Sequence, residues 1–327
     1  MFHRILLRKS IRDGQLLFWA LALVIFGFSW LRVYIVSTLE MGKFEQAVEL
    51  FREQIERFAS VPLSQLLTYG GRIAIVYNEP IIAFSMMIWC VARGSDAVAG
   101  DLGRGSMEMV LAQPVSRLEL LASNSVVTVI GAALLAGCTW LGTTVGIQTL
   151  QIKEPVPLAE FSVPFTSLSV RNPLIKNAVR KIPLRRRVDP KLFANATLNL
   201  FSLGVCFSGI TTLLSALDRY RWRAIGIAIA FFVIQTIIKV VSVSVEGTGA
   251  LHYGTIMTCY DPERFVAIAM NQPENTWGWF SKPLSEKSPA YELLGPLSHC
   301  LILFGVGLVG YISAIRVFVR RDLPAPL

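Results

Sequence analysis

Six runs of about 20 or more mostly apolar residues dominate this chain, and they fix the solvent in which it can fold. They fall at about residues 16–36, 73–92, 121–147, 194–217, 224–245 and 293–315. An α-helix rises 1.5 Å per residue, so about 20 residues cross a hydrocarbon core of about 30 Å. In that core every backbone polar group needs an internal partner, which leaves helices as the spanning element for runs of this length. The expected fold is all-α: a polytopic bundle of six transmembrane helices, one membrane domain over residues 1–327. Only 16% of the residues are charged and 53% are hydrophobic, against roughly 25% charged in soluble domains. That balance excludes a soluble globular enzyme and a disordered chain.

The net charge of +9 reads as an orientation signal, not as a nucleic-acid footprint, because Lys and Arg collect on the cytoplasmic side of a membrane. Arg4, Arg8, Lys9 and Arg12 precede the first run. They resemble the basic region of a signal peptide, but the run is long for one and lacks a small-x-small cleavage site, so an uncleaved span is expected. Arg93, Arg104 and Arg117, then Arg219, Arg221 and Arg223, then Arg316, Arg320 and Arg321 fall on the same side if the N-terminus is cytoplasmic. The chain is therefore expected to be a multi-pass protein of the plasma (inner) membrane with both termini cytoplasmic. The outer segments are then 37–72, 151–192 and 247–292. The second of these holds nine basic residues, including Arg185, Arg186 and Arg187. It either lies against anionic headgroups or is a solvated surface.

Between the spans, Met41, Phe44, Val48, Phe51, Ile55 and Phe58 form a helical stripe flanked by charges. Two readings stand, a helix packed on the protein's own outer surface and a partner or membrane-interface helix. Trp277, Trp279 and Phe280 suit the headgroup level. Asn195-Ala196-Thr197 fits a glycosylation sequon. The five cysteines and three histidines are scattered, with no CxxC pair and no metal-ligand spacing.

The segment after the second run carries the most information: Gly100-Asp101-Leu102-Gly103-Arg104-Gly105-Ser106-Met107-Glu108-Met109-Val110-Leu111-Ala112-Gln113-Pro114-Val115-Ser116-Arg117-Leu118-Glu119. Glycines 100, 103 and 105 are expected to break the helix leaving the bilayer. Ser106 is a good N-cap, and Glu108 sits where the helix dipole favours negative charge. The short helix ends near Gln113, because residues before proline avoid the α region. Ser116-x-x-Glu119 then forms a capping box that opens the third span. A helix of about two turns results, with Met107, Met109, Val110 and Leu111 expected on its exposed side and Glu108 and Arg117 at its rim. Such a surface suits a protein partner; lying in the lipid interface is the rival reading.

This stretch resembles the signature of ABC-2 type permeases, the membrane subunits of one class of ATP-binding-cassette exporters. The family pattern reads E-x-x-x-G-T-L-E-L-L-L-x-x-P-V-S-R between the second and third spans. The sequence matches at Gly105, Glu108, Leu111, Pro114, Val115, Ser116 and Arg117, with Asp101 in place of Glu, Ser106 of Thr, and Met107 and Met109 of Leu. The overall layout is also similar to permeases of the multicopper-enzyme and nitrous-oxide-reductase maturation type. The resemblance implies a coupling helix within 100–119 that docks on a cytoplasmic ABC ATPase subunit. The coupling residues so implied are Asp101, Gly105, Ser106, Met107, Glu108, Leu111, Gln113, Pro114, Ser116 and Arg117. It implies a second permease copy, with ATP and Mg²⁺ held by the ATPase and no cofactor on this chain.

No phosphate loop, HExxH or GxSxG motif occurs, so covalent chemistry on this chain is not expected. A non-transporting scaffold and, further off, a membrane-embedded enzyme are the rivals. Among charges near the spans, Glu79 precedes Pro80 and either faces a water-filled path or marks a proline-broken helix. Gln235 lies one turn from Lys239, which is expected to snorkel. Glu79 and Gln235 are thus candidates for a translocation path. Arg93 and Asp96, three apart, are expected to pair.

Overall fold

The computed structural model describes residues 4–39, 61–105, 107, 109, 112–113, 115–155, 161–162, 169–170, 179–245, 247–284 and 293–321. The stripe from Met41 to Phe58 lies outside the described residues. Among the described residues, six helical segments are long and apolar enough to cross a membrane: Arg4–Thr38, Tyr69–Gly103, Arg117–Thr149, Pro190–Leu217, Arg221–Ser244 and Pro296–Arg320. Each overlaps one expected run to within three residues of its bounds or extends beyond it.

We label the helices α1 (Arg4–Thr38), α2 (Tyr69–Ala74), α3 (Pro80–Ser95), α4 (Arg117–Thr149), α5 (Ala194–Leu217), α6 (Arg221–Ser244), α7 (Pro262–Asn271) and α8 (Pro296–Arg320). α5 is the central element, touching α3, α4, α6, α7 and α8. Its sequence explains why: Ser202, Gly204, Cys206, Ser208 and Gly209 are small enough to let neighbours approach, and all are buried. At the α5–α8 crossing the position of a side chain on Gly209 is taken by the Gly307 carbonyl. A Cβ on Gly307 would lie 2.5 Å from the Val205 carbonyl oxygen. Backbone-on-backbone packing through small residues is how membrane helices associate when lipid is as apolar as leucine. α6 is the reverse case. Ile227, Ile229, Val233, Ile234, Ile237 and Val240 are exposed along it, as a lipid-facing helix requires.

The described residues after α6, 247–284, fold back over the bundle. Residues 247–271 are pinned through buried amides: Asn195 Nδ2 donates to Phe265 O at 2.7 Å, and Asn199 Nδ2 donates to Cys259 O at 2.9 Å. The sequon asparagine is thus wholly buried and occupied, so the glycosylation reading is corrected. Within 151–192 the chain forms strands β1 (Gln151–Pro155), β2 (Phe161–Ser162), β3 (Ser169–Val170) and β4 (Val179–Pro183), with β1 antiparallel to β4 and β2 to β3. Ile152 and Leu184 of this segment are buried against the bundle core, and Trp140 Nε1 of α4 donates to Pro190 O at 3.1 Å. Trp277, Trp279 and Phe280 are exposed.

Candidate functional site

The second spanning segment does not stop at Gly100. After α3 it passes through a π-helical turn, Asp96–Gly100, and ends at Asp101–Gly103. A π turn leaves backbone groups out of the α ladder, and here Ser215 of α5 collects them. Its Oγ accepts from Val98 N at 3.1 Å and Ala99 N at 2.9 Å, and donates to Ser95 O at 2.9 Å. The break comes at Gly105, whose φ of 68° lies in the left-handed region that glycine adopts without steric cost. The expectation of a break at Gly100 is therefore corrected; a contact more than a hundred residues away in sequence carries the helix through it.

The π turn aims two carboxylates at the end of the bundle that bears both termini. Asp96 pairs with Arg104 at 2.8 Å and Arg221 of α6 at 3.2 Å. Asp101 pairs with Arg104 at 2.9 Å and Lys9 of α1 at 3.6 Å. The hydrogen bond that Arg104 donates to Asp96, then that to Asp101, hold its guanidinium above its ordinary pKa. These pairs line a cavity of about 450 Å³ between α1, α3 and α6. Arg93 does not pair with Asp96 as expected. It is buried and donates to Ser10 Oγ of α1 and, at 2.8 Å, to Asn124 Oδ1 of α4. Both residues line the same cavity, but Arg104 and Arg221 take the Asp96 carboxylate.

Of the expected coupling residues, Ser106, Glu108, Leu111 and Pro114 lie outside the described residues, as does Val110. Gly105 and Gln113 are exposed. Met107 is buried, contrary to the exposure expected, and packs in a small core with Leu6, Val98, Leu121, Ala216 and Phe318; Met109 is 70% exposed. Ser116 forms the capping box: its Oγ accepts from Glu119 N at 3.1 Å, and its own N donates to Glu119 Oε2 at 3.1 Å. Arg117 turns inward from the rim. Its Nη1 donates to the carbonyls of Phe318 at 3.1 Å and Arg321 at 2.6 Å, where α8 ends.

The path candidates lie near the opposite end, and both have internal partners. Glu79 is extended ahead of Pro80 and pairs with Arg32 of α1 at 3.3 Å. Gln235 Oε1 accepts from Ile256 N at 2.9 Å, and its backbone carbonyl accepts from Thr255 Oγ1 at 2.9 Å. Lys239, read as able to snorkel, meets a protein carbonyl. Its Nζ donates to Tyr260 O at 2.6 Å, pinning the same cap. Next to it, burial followed by the Lys239 charge lowers His252 to about 4. Sequence reasoning missed Ser215, Arg321 and Lys239 as clips. Their bonds join distant segments, so no local pattern marks them.

Six helices long enough to cross a membrane, and a signature segment moored at its start by Asp101 and Met107 and at its end by Ser116 and Arg117, define a multi-pass membrane protein. The family model described as ABC-2 family transporter protein matches residues 6–171. This stretch holds the first three spanning helices and the whole signature segment. The chain belongs to the ABC-2 transporter family, whose members are transport subunits. The family generally works with a cytoplasmic ATPase subunit. No curated protein matches the chain.

Proposed function

We propose that this chain is the permease subunit of an ABC exporter, driven by ATP hydrolysis on a separate cytoplasmic ATPase. ATP and Mg²⁺ sit on that partner. Two permease copies, each with one ATPase, enclose the path in the plasma (inner) membrane, and both termini are cytoplasmic. The segment 100–119, with Asp101, Gly105, Ser106, Met107, Glu108, Leu111, Gln113, Pro114, Ser116 and Arg117, is the coupling element. In this reading Glu79 and Gln235 belong to the translocation path, held in this state by Arg32 and by the Thr255–Ile256 turn.

The observation that carries the reading is the double mooring of the segment. A load applied between two fixed ends is passed to helices, whereas a free loop would absorb it. Nucleotide-dependent contacts on an ATPase could then bias the bundle between two arrangements, because only a difference in contact energy between states shifts their populations. The test is co-purification. Glu108→Lys or Leu111→Asp should abolish recovery of the ATPase while the permease still inserts. Undiminished recovery with both variants refutes the docking assignment. A cysteine at position 109 should label from the cytoplasm only, and labelling from outside reverses the orientation.

A further inference from the structure

We propose that Arg117 and Arg321 form a two-link clip that carries movement of the coupling segment into α8 and α5. Arg117 is the first residue of α4, directly after the coupling segment. The last carbonyls of a helix have no partner inside it and form the negative pole of its dipole. Arg117 Nη1 meets those of α8, on Phe318 at 3.1 Å, Val319 at 3.4 Å and Arg321 at 2.6 Å. The Arg117 guanidinium also lies 5.9 Å from the centre of the Phe318 ring. Arg321 repeats the device one helix further on. Its Nη1 donates to Ala216 O at 2.8 Å and Asp218 O at 3.3 Å, at the end of α5.

The links therefore run from α4 to α8 and from α8 to α5, each made by a cation on an open helix end. Beneath them Met107, Phe318 and Ala216 share one buried cluster. A displacement of the coupling segment that leaves both links intact must take the ends of α8 and α5 with it. Arg117 is thus a positioning residue that acts through α8, not a group on the ATPase contact surface. The inference rests on the ATP-driven reading above, because it names the route by which that motion enters the bundle.

The experiment uses the permease–ATPase complex with Cys138→Ser and spin labels at Leu118 and Val319, both about half exposed. Their separation is measured by pulsed electron resonance, without nucleotide and after trapping with ATP and vanadate. The intact clip is expected to keep the separation narrow and equal in both states. R117A is expected to leave the nucleotide-free separation in place and to broaden or shift the trapped one by about one helical turn, roughly 5 Å. R117K, whose ammonium can meet the same carbonyls, is expected to restore it. Should R117A not accumulate, R321A is read in the same way with labels at Val319 and Leu217.

Equal, narrow separations in both states of R117A, or of R321A, overturn the clip. So does a separation that already differs between states in the parent. Failure of any ATPase to co-purify with the parent overturns the functional reading instead, and the clip's role falls with it.

Discussion

Ser215→Ala is the sharpest test of how the second spanning segment ends. The hydroxyl serves two buried amides and one buried carbonyl of the Asp96–Gly100 turn, and Ser215 itself is fully buried. Water cannot replace it without opening the α3–α5 contact. A buried polar group left without a partner costs about 1–3 kcal/mol. Two amides share one oxygen, so the loss comes to about 2–4 kcal/mol. Local opening of the turn becomes easier by that amount. Since 1.4 kcal/mol is a factor of ten, exchange of the Val98 and Ala99 amides should rise roughly 30- to 700-fold. The assay is hydrogen exchange with mass spectrometry on peptides covering 95–103, with the α5–α8 crossing as the internal control. Faster exchange confined to 95–103 supports the argument. Unchanged exchange there, in a protein that still folds, refutes the claim that Ser215 holds the turn.

Other outcomes follow from the same geometry. His252 is lowered to about 4, chiefly by burial, so the unfolded chain takes up its proton first on acidification. The stability of the cap over 247–271 should be complete above its ordinary value near 6.5, fall between about 6.5 and 4, and level off below. Fluorescence of Trp277 and Trp279 against denaturant at each pH checks this, and His252→Gln should remove the dependence. Asn195 donates to Phe265 O from a fully buried site, so expression in a glycosylating host should leave gel mobility unchanged by glycosidase. Gly209→Ala should disrupt the α5–α8 crossing by about 1–3 kcal/mol or more. Monodisperse yield on gel filtration should therefore drop, whereas Gly226→Ala, where the added methyl meets nothing, should not change it.

What was legible in the sequence was what short-range chemistry decides. Apolar length alone located all six spans, because the hydrocarbon thickness sets one number for every helix. The Ser116–Glu119 box was legible because both partners lie within one turn. The side on which Met107 falls was not. So short a stretch has too few positions to define a face from its pattern, and the burial of Met107 depends on Phe318 at the far end of the chain. The Arg93–Asp96 pairing failed for a related reason. Spacing shows that two groups can meet, not which competitor is nearer, and Arg104 and Arg221 take the carboxylate. The Lys239 contact was not legible either, because no local signal places the Tyr260 carbonyl beside it.

Both ends of the bundle combine buried hydrogen bonds with ion pairs, and they differ in how exposed and how shared those ion pairs are. Near the Glu79 end, neutral donors buried in the core hold the chain: Asn195, Asn199 and the Tyr77–Thr197 pair at 2.8 Å. Breaking one of these strands a desolvated group, so that end is stiff. At the termini-bearing end, beside the Ser215 bonds and the Arg117–Arg321 contacts, stand ion pairs in which Lys9, Arg104 and Arg221 keep 41%, 49% and 41% of their side chains exposed. Exposed pairs are worth about 0–1 kcal/mol each and can exchange partners through water. Asp96 already has two cations and Arg104 two carboxylates, so a shift of one helix can hand a partner over instead of leaving a charge bare.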